Sequence, residues 1–261
     1  MPIKFLSCLF FLLLSCMHRP KEKTLPAQVP AAMPAPSPDY TLPELMGKFD
    51  PATHPDFVEI EARYASRSGM FLRKETYEAF KKMHAAAAKD SITLRIISAT
   101  RNFEAQKGIW EAKWTGARTI ENGKNAAQAY PNPVERALKI LEYSSMPGSS
   151  RHHWGTDMDL NDLSPQYFQS GKGKKIHDWL VANGPDFGFC QPYSPKGKER
   201  PYGYNEEQWH WSYMPIASKM TALAKENLKN NMISGFQGAL TAVEIDVVGK
   251  YVLGINRDCH K

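Results

Sequence analysis

Two short segments of the chain carry the residue types that metal-assisted hydrolysis needs. One is residues 149–159, SSRHHWGTDMD, and the other is residues 206–211, EEQWHW. Histidine and aspartate are good zinc ligands, and three protein ligands leave a fourth position for water. A glutamate that does not bind the metal can take a proton from that water. Either segment alone would be weak support, because histidines beside tryptophans often only pack, but together they predict a metal-dependent hydrolase.

Three motifs follow one another along the chain. The first is S-x-x-R at residues 98–101, with Gln106 after it; the second is S-x-H-x-x-G-x-x-x-D at residues 150–159; the third is E-x-W-H at residues 207–210. In this combination and order the chain resembles the zinc D-alanyl-D-alanine carboxypeptidases of the VanY type, over residues 73–215. The resemblance implies the zinc D-Ala-D-Ala peptidase (hedgehog-like) fold and one Zn²⁺ per chain.

The resemblance also assigns roles to individual residues. It implies that zinc is held by His152, Asp159 and His210. Glu207 would be the general base for the attacking water, and Arg101 would steady the substrate carbonyl or the developing oxyanion. Contacts to the substrate are implied for three further side chains, namely Gln106, Ser150 and Ser98.

The motif spacing decides between neighbouring candidates. His153, Asp157 and Glu206 have suitable chemistry but stand one or two positions out of register, so they are not expected to be ligands or base. Asp157 also departs from the family pattern, in which many members carry alanine there. Because His152 and Asp159 are seven residues apart, a flat strand would place them on opposite faces. The chain must therefore bend between them, and the glycine of the motif allows this.

The implied activity is removal of the terminal D-alanine from peptidoglycan stem peptides. The same zinc site would serve an L,D-carboxypeptidase or a peptidoglycan endopeptidase, so the motifs leave the cleaved bond open. A third alternative is a non-catalytic, lipid-anchored protein that binds the cell wall. The spare base Glu207 argues against that alternative, because a protein that only binds has no use for it.

The elements that must position these residues read as a mixture of helices and strands. Helical patterns cover residues 73–89 and 216–229, and a third helix is expected to begin at Pro133. Strands are expected at residues 93–98 and 209–213. Since regular βαβ alternation is absent, we predict an α+β fold with a small, mainly antiparallel sheet flanked by helices.

A long segment, residues 109–147, separates the arginine motif from the histidine motif. It contains Trp110 and Trp114, which could shape a substrate groove or could simply pack on the domain. We favour packing, because aromatic residues at helical spacing usually belong to the core.

The N-terminus reads as an export signal and a tether. Residues 1–15 combine one lysine with a ten-residue apolar stretch, and the Leu-Leu-Ser-Cys sequence ending at Cys16 resembles a bacterial lipobox. An ordinary cleaved signal and a short buried helix are the alternatives. Residues 16–49 are rich in proline and alanine, which predicts a spacer, and residues 50–261 form the predicted peptidase domain with a tail from about residue 216. We therefore expect an exported protein, lipid-anchored to a bacterial membrane, with its domain facing the periplasm or cell wall.

Composition excludes several classes of protein. Of 261 residues, 23% are charged and 11% aromatic, so the chain is not disordered as a whole. Four cysteines are too few for a disulfide scaffold. The formal charge of +6 fits attraction to an anionic wall or membrane surface, and an exported chain would rarely meet nucleic acid. No pattern indicates an oligomeric state.

Two cysteines remain once the signal is removed and Cys16 is acylated, namely Cys190 and Cys259. In an oxidising compartment they could form one disulfide. They could equally stay as two separate buried thiols, because the sequence does not give the distance between them.

Overall fold

Antiparallel strands carry both segments of the candidate site. The computed structural model describes residues 1–2, 40–120 and 123–260. Its strands are β1 (Phe57–Glu59), β2 (Phe71–Arg73), β3 (Ile96–Ser98), β4 (Asp157–Leu160), β5 (Phe189–Cys190) and β6 (His210–Tyr213). Strands β1 and β2 form one sheet, and the other four form a second sheet in the order β3-β4-β6-β5, antiparallel throughout.

Helices surround this sheet. They are α1 (Leu42–Leu45), α2 (Lys74–Lys89), α3 (Phe103–Trp114), α4 (Ala126–Ala129), α5 (Pro133–Ile140), α6 (Pro165–Phe168), α7 (Gly171–Asn183), α8 (Met214–Asn227) and α9 (Thr241–Ile245). Short 3-10 helices lie at Arg151–Trp154, Gly184–Phe187, Asn230–Met232 and Arg257–His260, and a π-helical turn at Val248–Val252. The α+β class and the small antiparallel sheet are as the sequence predicts.

Local signals explain where several of these elements begin. The side chain of Asn132 accepts hydrogen bonds from the backbone N–H groups of Val134 and Glu135, and Pro133 fills the first helical position, so α5 begins where predicted. The predicted strand at residues 93–98 is shorter, because only its second half pairs with β4.

The structured domain begins earlier than residue 50, so the tether predicted to reach residue 49 is too long at this end. Helix α1 has a capping box in which Thr41 and Glu44 bond each other's backbone N–H groups. Leu45 is 1% exposed, and its carbonyl accepts a hydrogen bond from the indole of Trp154 at 3.1 Å. Residues 40–49 are therefore part of the domain and pack against the histidine motif.

The segment at residues 109–147 packs on the domain, and its partner is the C-terminal tail. Trp110 and Trp114 are buried and stacked with ring centroids 6.1 Å apart. The indole N–H of Trp110 donates to the carbonyl of Gln237 at 2.9 Å, and its ring meets Phe236 edge-on. The segment at residues 109–147 and the C-terminal tail thus pack against each other.

A disulfide joins Cys190 of β5 to Cys259 near the C-terminus, with their Cα atoms 5.6 Å apart. The backbone N–H of Asn256 adds a hydrogen bond to the carbonyl of Pro192 at 2.8 Å. Of the two alternatives open for these cysteines, the structure has the bonded pair. The bond anchors the tail beside the strand that flanks the site.

Most of the predicted N-terminal features lie outside the described residues. These are the apolar stretch of the signal, the lipidation site Cys16 and the tether as far as residue 39. None of the helices in the described part of the chain has the length and apolar character required to cross a bilayer.

Candidate metal centre and active site

Adjacent strands bring the predicted metal ligands together. Asp159 on β4 stands directly opposite His210 on β6 in the strand pairing. His152 lies in the 3-10 helix before β4 and reaches back to the same place, so that the three side chains each offer an atom within 4.8 Å of the others. All three residues are buried.

The bend that the spacing requires occurs at Gly155. Its φ of +72° lies in the left-handed region, where a side chain is strained. A Cβ at this position would also collide with the ring of Phe57 and the stem of Arg73. The chain turns here from the 3-10 helix into β4, which places His152 and Asp159 on the same side despite their odd spacing.

Each histidine is oriented by an oxygen on the side facing away from Asp159. His152 Nδ1 lies 2.8 Å from the carbonyl oxygen of Ala99, and His210 Nε2 lies 2.8 Å from Asp157 Oδ2. Carbonyl and carboxylate oxygens only accept, so these two ring nitrogens carry the protons. The remaining nitrogens, Nε2 of His152 and Nδ1 of His210, are turned toward Asp159, and that of His210 offers a lone pair once the ring has lost its second proton. This arrangement of outer hydrogen bonds is usual around metal-binding histidines.

The donor set fits a zinc ion. Ligand atoms about 2.0–2.1 Å from a tetrahedral ion stand about 3.4 Å from one another. Here His152 Nε2 is 3.4 Å from Asp159 Oδ2, and His210 Nδ1 is 3.1 Å from Asp159 Oδ1. The two distances reach different oxygens of Asp159, and the three ligand atoms lie within 4.8 Å of one another, so two imidazoles and one carboxylate fit zinc in chemistry and in approximate spacing. Three such ligands leave a fourth position for water or substrate.

Glu207 lies just before β6, three residues ahead of His210. Its backbone N–H donates to the carbonyl of Tyr193, and its Oε2 is 3.5 Å from His210 Nδ1. Burial raises the pKa of Glu207 to about 8, although the nearby His210 opposes the rise. A carboxyl group with a pKa near neutrality suits proton transfer at the operating pH.

The two ionisable ligands of the sheet hold opposite charges in the metal-free protein. Burial alone would lower the pKa of His210, but hydrogen bonds to Asp157 and Asp159 outweigh it and raise this pKa to about 9. Burial would raise the pKa of Asp159, but the charges and hydrogen bonds of His152 and His210 hold it far below its usual value. A cation entering the site therefore displaces a proton from His210.

The predicted substrate contacts differ in how completely their polar atoms are paired. Ser150 is fully buried, and its Oγ, like Nε of Arg101, has no hydrogen-bond partner among the described residues. Gln106 is also fully buried; its Nε2 donates to the carbonyl of Ser145, whereas its Oε1 is unpartnered within the same part of the chain. Ser98 stands opposite Asp159 on β3. Ser150, Arg101 and Gln106 thus each have a buried polar atom without a partner in this part of the chain. Ser98 is brought next to Asp159 by the strand pairing.

His153 has a structural role, in line with its position out of register. Its Nδ1 lies 2.6 Å from the carbonyl oxygen of Arg101, and its Nε2 accepts the backbone N–H of Gly148 at 3.0 Å. Only a neutral imidazole can make both bonds. Burial lowers the pKa of His153 to about 3. The ring thus ties the arginine motif to the loop before the histidine motif.

Sequence reasoning missed the residues that support the ligands from outside. Asp157 was excluded as a ligand, and its contact with His210 was not foreseen. Two residues apart on a strand, Asp157 and Asp159 share a face, so a signal was present in the spacing. The ring of Tyr193, whose centroid is 4.7 Å from that of His210, left no comparable signal.

Comparisons with known proteins agree on one family. The model of the VanY family, described as D-alanyl-D-alanine carboxypeptidase, matches residues 69–216, more than half of the chain. The putative carboxypeptidase YodJ of Bacillus subtilis is 27% identical over 197 residues, which cover 72% of this chain and 61% of that protein. The chain spans about three fifths of the length of the curated relatives it matches.

Solved structures with similar folds include an LD-carboxypeptidase and a D,D-pentapeptidase. The LD-carboxypeptidase LdcB has a TM-score of 0.46 and 24% identity, covering 67% of this chain and 75% of its own. A variant of the vancomycin resistance D,D-pentapeptidase VanY in complex with Zn(II) has a TM-score of 0.45 and 24% identity, covering 63% of this chain and 87% of its own.

Proposed function

Because the chain belongs to the VanY family of D-alanyl-D-alanine carboxypeptidases, we propose that it is a zinc-dependent carboxypeptidase that removes the terminal D-alanine from peptidoglycan stem peptides. One observation carries the proposal. Two imidazoles, oriented from outside by Ala99 and Asp157, meet Asp159, and the buried carboxyl group of Glu207 stands beside them. A site of this kind holds a cation and keeps one base free for a water molecule.

His152, Asp159 and His210 would hold one zinc ion. When bound, zinc supplies a Lewis acid that polarises the scissile carbonyl and makes water a better nucleophile near neutral pH. Glu207 takes a proton from the attacking water and passes it to the leaving amine of the terminal residue. As the new C–O bond forms and the C–N bond breaks, the products are a shortened peptide carboxylate and a free amino acid.

Arg101 and the unpartnered polar atoms of the motif residues would bind the substrate. Arg101 keeps Nε free of partners within the described residues, so its guanidinium is available to an oxyanion or a carboxylate. Ser150 Oγ and Gln106 Oε1 are buried and unpartnered in the same region. A buried polar group without a partner is costly, and a peptide terminus offers both donors and acceptors to satisfy these atoms.

The N-terminal sequence features suggest where in the cell this activity takes place. We propose that residues 1–15 export the chain and that Cys16 carries a lipid, so that the domain works on the cell wall from a membrane surface. Globomycin, an inhibitor of lipoprotein signal cleavage, should cause accumulation of the uncleaved precursor, and Cys16→Ser should abolish fractionation with membranes. A soluble Cys16→Ser protein alongside an equally soluble parent would refute the anchor.

The test of the activity uses purified muropeptides and mass spectrometry. Loss of one terminal alanine from a pentapeptide, abolished by a chelator and restored by zinc, is the expected result. Conversion of tetrapeptide to tripeptide would assign the L,D reaction, cleavage within cross-links would assign an endopeptidase, and binding without cleavage would refute catalysis.

Glu207→Gln is the matched control, because it keeps the shape of the side chain and removes the base. We expect it to retain zinc and to lose activity by roughly 10²–10⁴-fold. His210→Ala should instead lose the metal. Parental turnover in Glu207→Gln would overturn the role given to this residue.

A further inference from the structure

A buried ion pair lies directly behind one of the proposed metal ligands. Asp157 Oδ2 is 2.8 Å from His210 Nε2 and accepts a hydrogen bond from Arg151 Nε at 3.0 Å. The side chains of Asp157 and Arg151 have no exposed surface at all. On His210 this ion pair meets Nε2, whereas Asp159 meets Nδ1.

The carboxylate of Asp157 is held from every side. Its other oxygen, Oδ1, accepts hydrogen bonds from the hydroxyl groups of Thr156 and Ser212, both at 2.7 Å. Four donors around two oxygens fill the hydrogen-bonding capacity that the carboxylate has in this geometry. Asp157 therefore cannot rotate to become a ligand itself without breaking several buried hydrogen bonds, each of which is costly to lose.

Arg151 fixes the carboxylate and links it to the neighbouring elements. Besides its bond to Asp157, it donates from Nη2 to the hydroxyl of Ser212 at 2.7 Å and from Nη1 to the hydroxyl of Thr221 at 3.1 Å. Its guanidinium also lies 4.3 Å from the ring centre of Trp154. The arginine thus spans the 3-10 helix, β6 and α8, and its charge balances that of Asp157 within the interior.

We propose that Asp157, held in place by Arg151, is a positioning residue that fixes the tautomer and the orientation of His210 for metal binding. The inference rests on the proposed function, since it concerns the same zinc site. With Asp157 at Nε2, the proton of the neutral ring stays on that nitrogen and the lone pair of Nδ1 faces Asp159, 3.1 Å away. The other tautomer would leave the Nε2 lone pair against the carboxylate of Asp157 and turn the Nδ1 proton toward the proposed metal position, so it could not bind a metal through Nδ1.

The consequence for the metal follows from this arrangement. A carboxylate behind a ligating imidazole orients the ring and makes it a more basic ligand, and its removal typically costs 10–100-fold in metal affinity. The pair also delivers this support without adding net charge to the site, because the guanidinium offsets the carboxylate. Loss of Asp157 should therefore weaken the affinity of the site for zinc without changing which metal it prefers.

The test compares zinc dissociation constants, measured by competition with a chromophoric chelator, in the parent, Asp157→Asn and Thr221→Val. Asparagine is close in shape but lacks the charge, and the valine removes a hydrogen bond of Arg151 that does not touch His210. We expect zinc to bind 10–100-fold more weakly to Asp157→Asn and within about twofold of the parent to Thr221→Val. Unchanged affinity in Asp157→Asn, or equal losses in both variants, would overturn the inference.

A second measurement needs no variant, in case Asp157→Asn does not fold. In the zinc-loaded parent with ¹⁵N-labelled histidine, long-range ¹H–¹⁵N correlation spectra report which nitrogen of His210 bears hydrogen. A protonated Nε2 with Nδ1 on the metal is the expected signature, and the reverse assignment refutes the positioning role. If the parent itself binds no zinc, the proposed function fails. If the parent binds zinc and turns over substrate, and Asp157→Asn binds zinc with the same affinity, only this inference is contradicted.

Discussion

Breaking the disulfide between Cys190 and Cys259 should lower the stability of the domain far more than it lowers its activity. The two residues are 69 positions apart in sequence. A cross-link closing a loop of that length restricts the unfolded chain by an amount worth about 4 kcal/mol. For a domain of this size such a loss corresponds to a fall of roughly 8–16 °C in melting temperature.

The site itself should survive reduction at 25 °C. His210 lies on β6, which pairs with β4 as well as with β5, and the hydrogen bond from Asn256 to Pro192 still holds the tail. We therefore expect the reduced protein, and the variant with both cysteines changed to alanine, to keep kcat/KM within a few-fold of the parent at that temperature. Thermal unfolding with and without reductant measures the stability, and muropeptide turnover measures the activity.

A double-mutant cycle separates the bond from packing. Either single substitution, Cys190→Ala or Cys259→Ala, removes the whole bond, so each should cost nearly as much as the double variant. Cys259 is 2% exposed, so its replacement adds a modest packing loss that Cys190→Ala does not share. Additive single effects, or a melting temperature that does not respond to reductant, would refute the reasoning.

Three further predictions concern residues around the site. His153→Gln replaces the imidazole by an amide that can still donate and accept but does not titrate. Because the folded pKa of His153, about 3, lies below an unfolded value of about 6.5, the neutral ring stabilises the fold fully above pH 6.5, and about 2 kcal/mol of that stability is lost by pH 5. In urea titrations of the metal-free proteins the parent should therefore lose about 2 kcal/mol more than the variant between pH 7.5 and 5, and equal losses would contradict this. Gly155→Ala should destabilise the fold by more than the roughly 1–3 kcal/mol of a strained φ, because the added Cβ also collides with Phe57. The control is Gly69→Ala, at a φ of +71° with no atom within 4 Å of the added Cβ, which measures the backbone strain alone. Equal melting temperatures of the two variants would exclude the collision. Arg101→Lys should reduce kcat/KM by about 10–10³-fold with unchanged zinc content, and a parental value would remove Arg101 from the mechanism.

The meeting of the ligands was predictable from sequence because the resemblance to the VanY family implied all three, and because the spacing inside the histidine motif requires a bend between two of them. His152 and Asp159 stand at a fixed distance within one motif, and a single bend at Gly155 sets their geometry. The alternation around His210 indicates a strand, and two short strands bearing chemistry are natural neighbours in a small antiparallel sheet. The resemblance therefore supplied the set of ligands, and the local pattern supplied the bend and the strand that position them.

The features that sequence did not reveal depend on contacts between distant parts of the chain. Leu45 is buried because Trp154, more than a hundred residues away, lies against α1. The proline content before it is typical of a tether and concealed the local capping signal of Thr41 and Glu44. Composition averaged over a window thus outweighed a specific four-residue pattern that correctly marks the start of the domain.

The pairing of β4 with β6 links stability to the site, because the two faces of these strands differ in chemistry although both are buried. Asp157 stands opposite Ser212 on the face of the ligands, while Met158 stands opposite Trp211 on the apolar face. A slip of one residue would turn Met158 toward the ligands and bury the charge of Asp157 in the apolar core, far from Arg151. An unpaired buried charge is among the most costly defects a fold can contain. The ion pair that supports His210 therefore also opposes a one-residue slip that would separate His210 from Asp159.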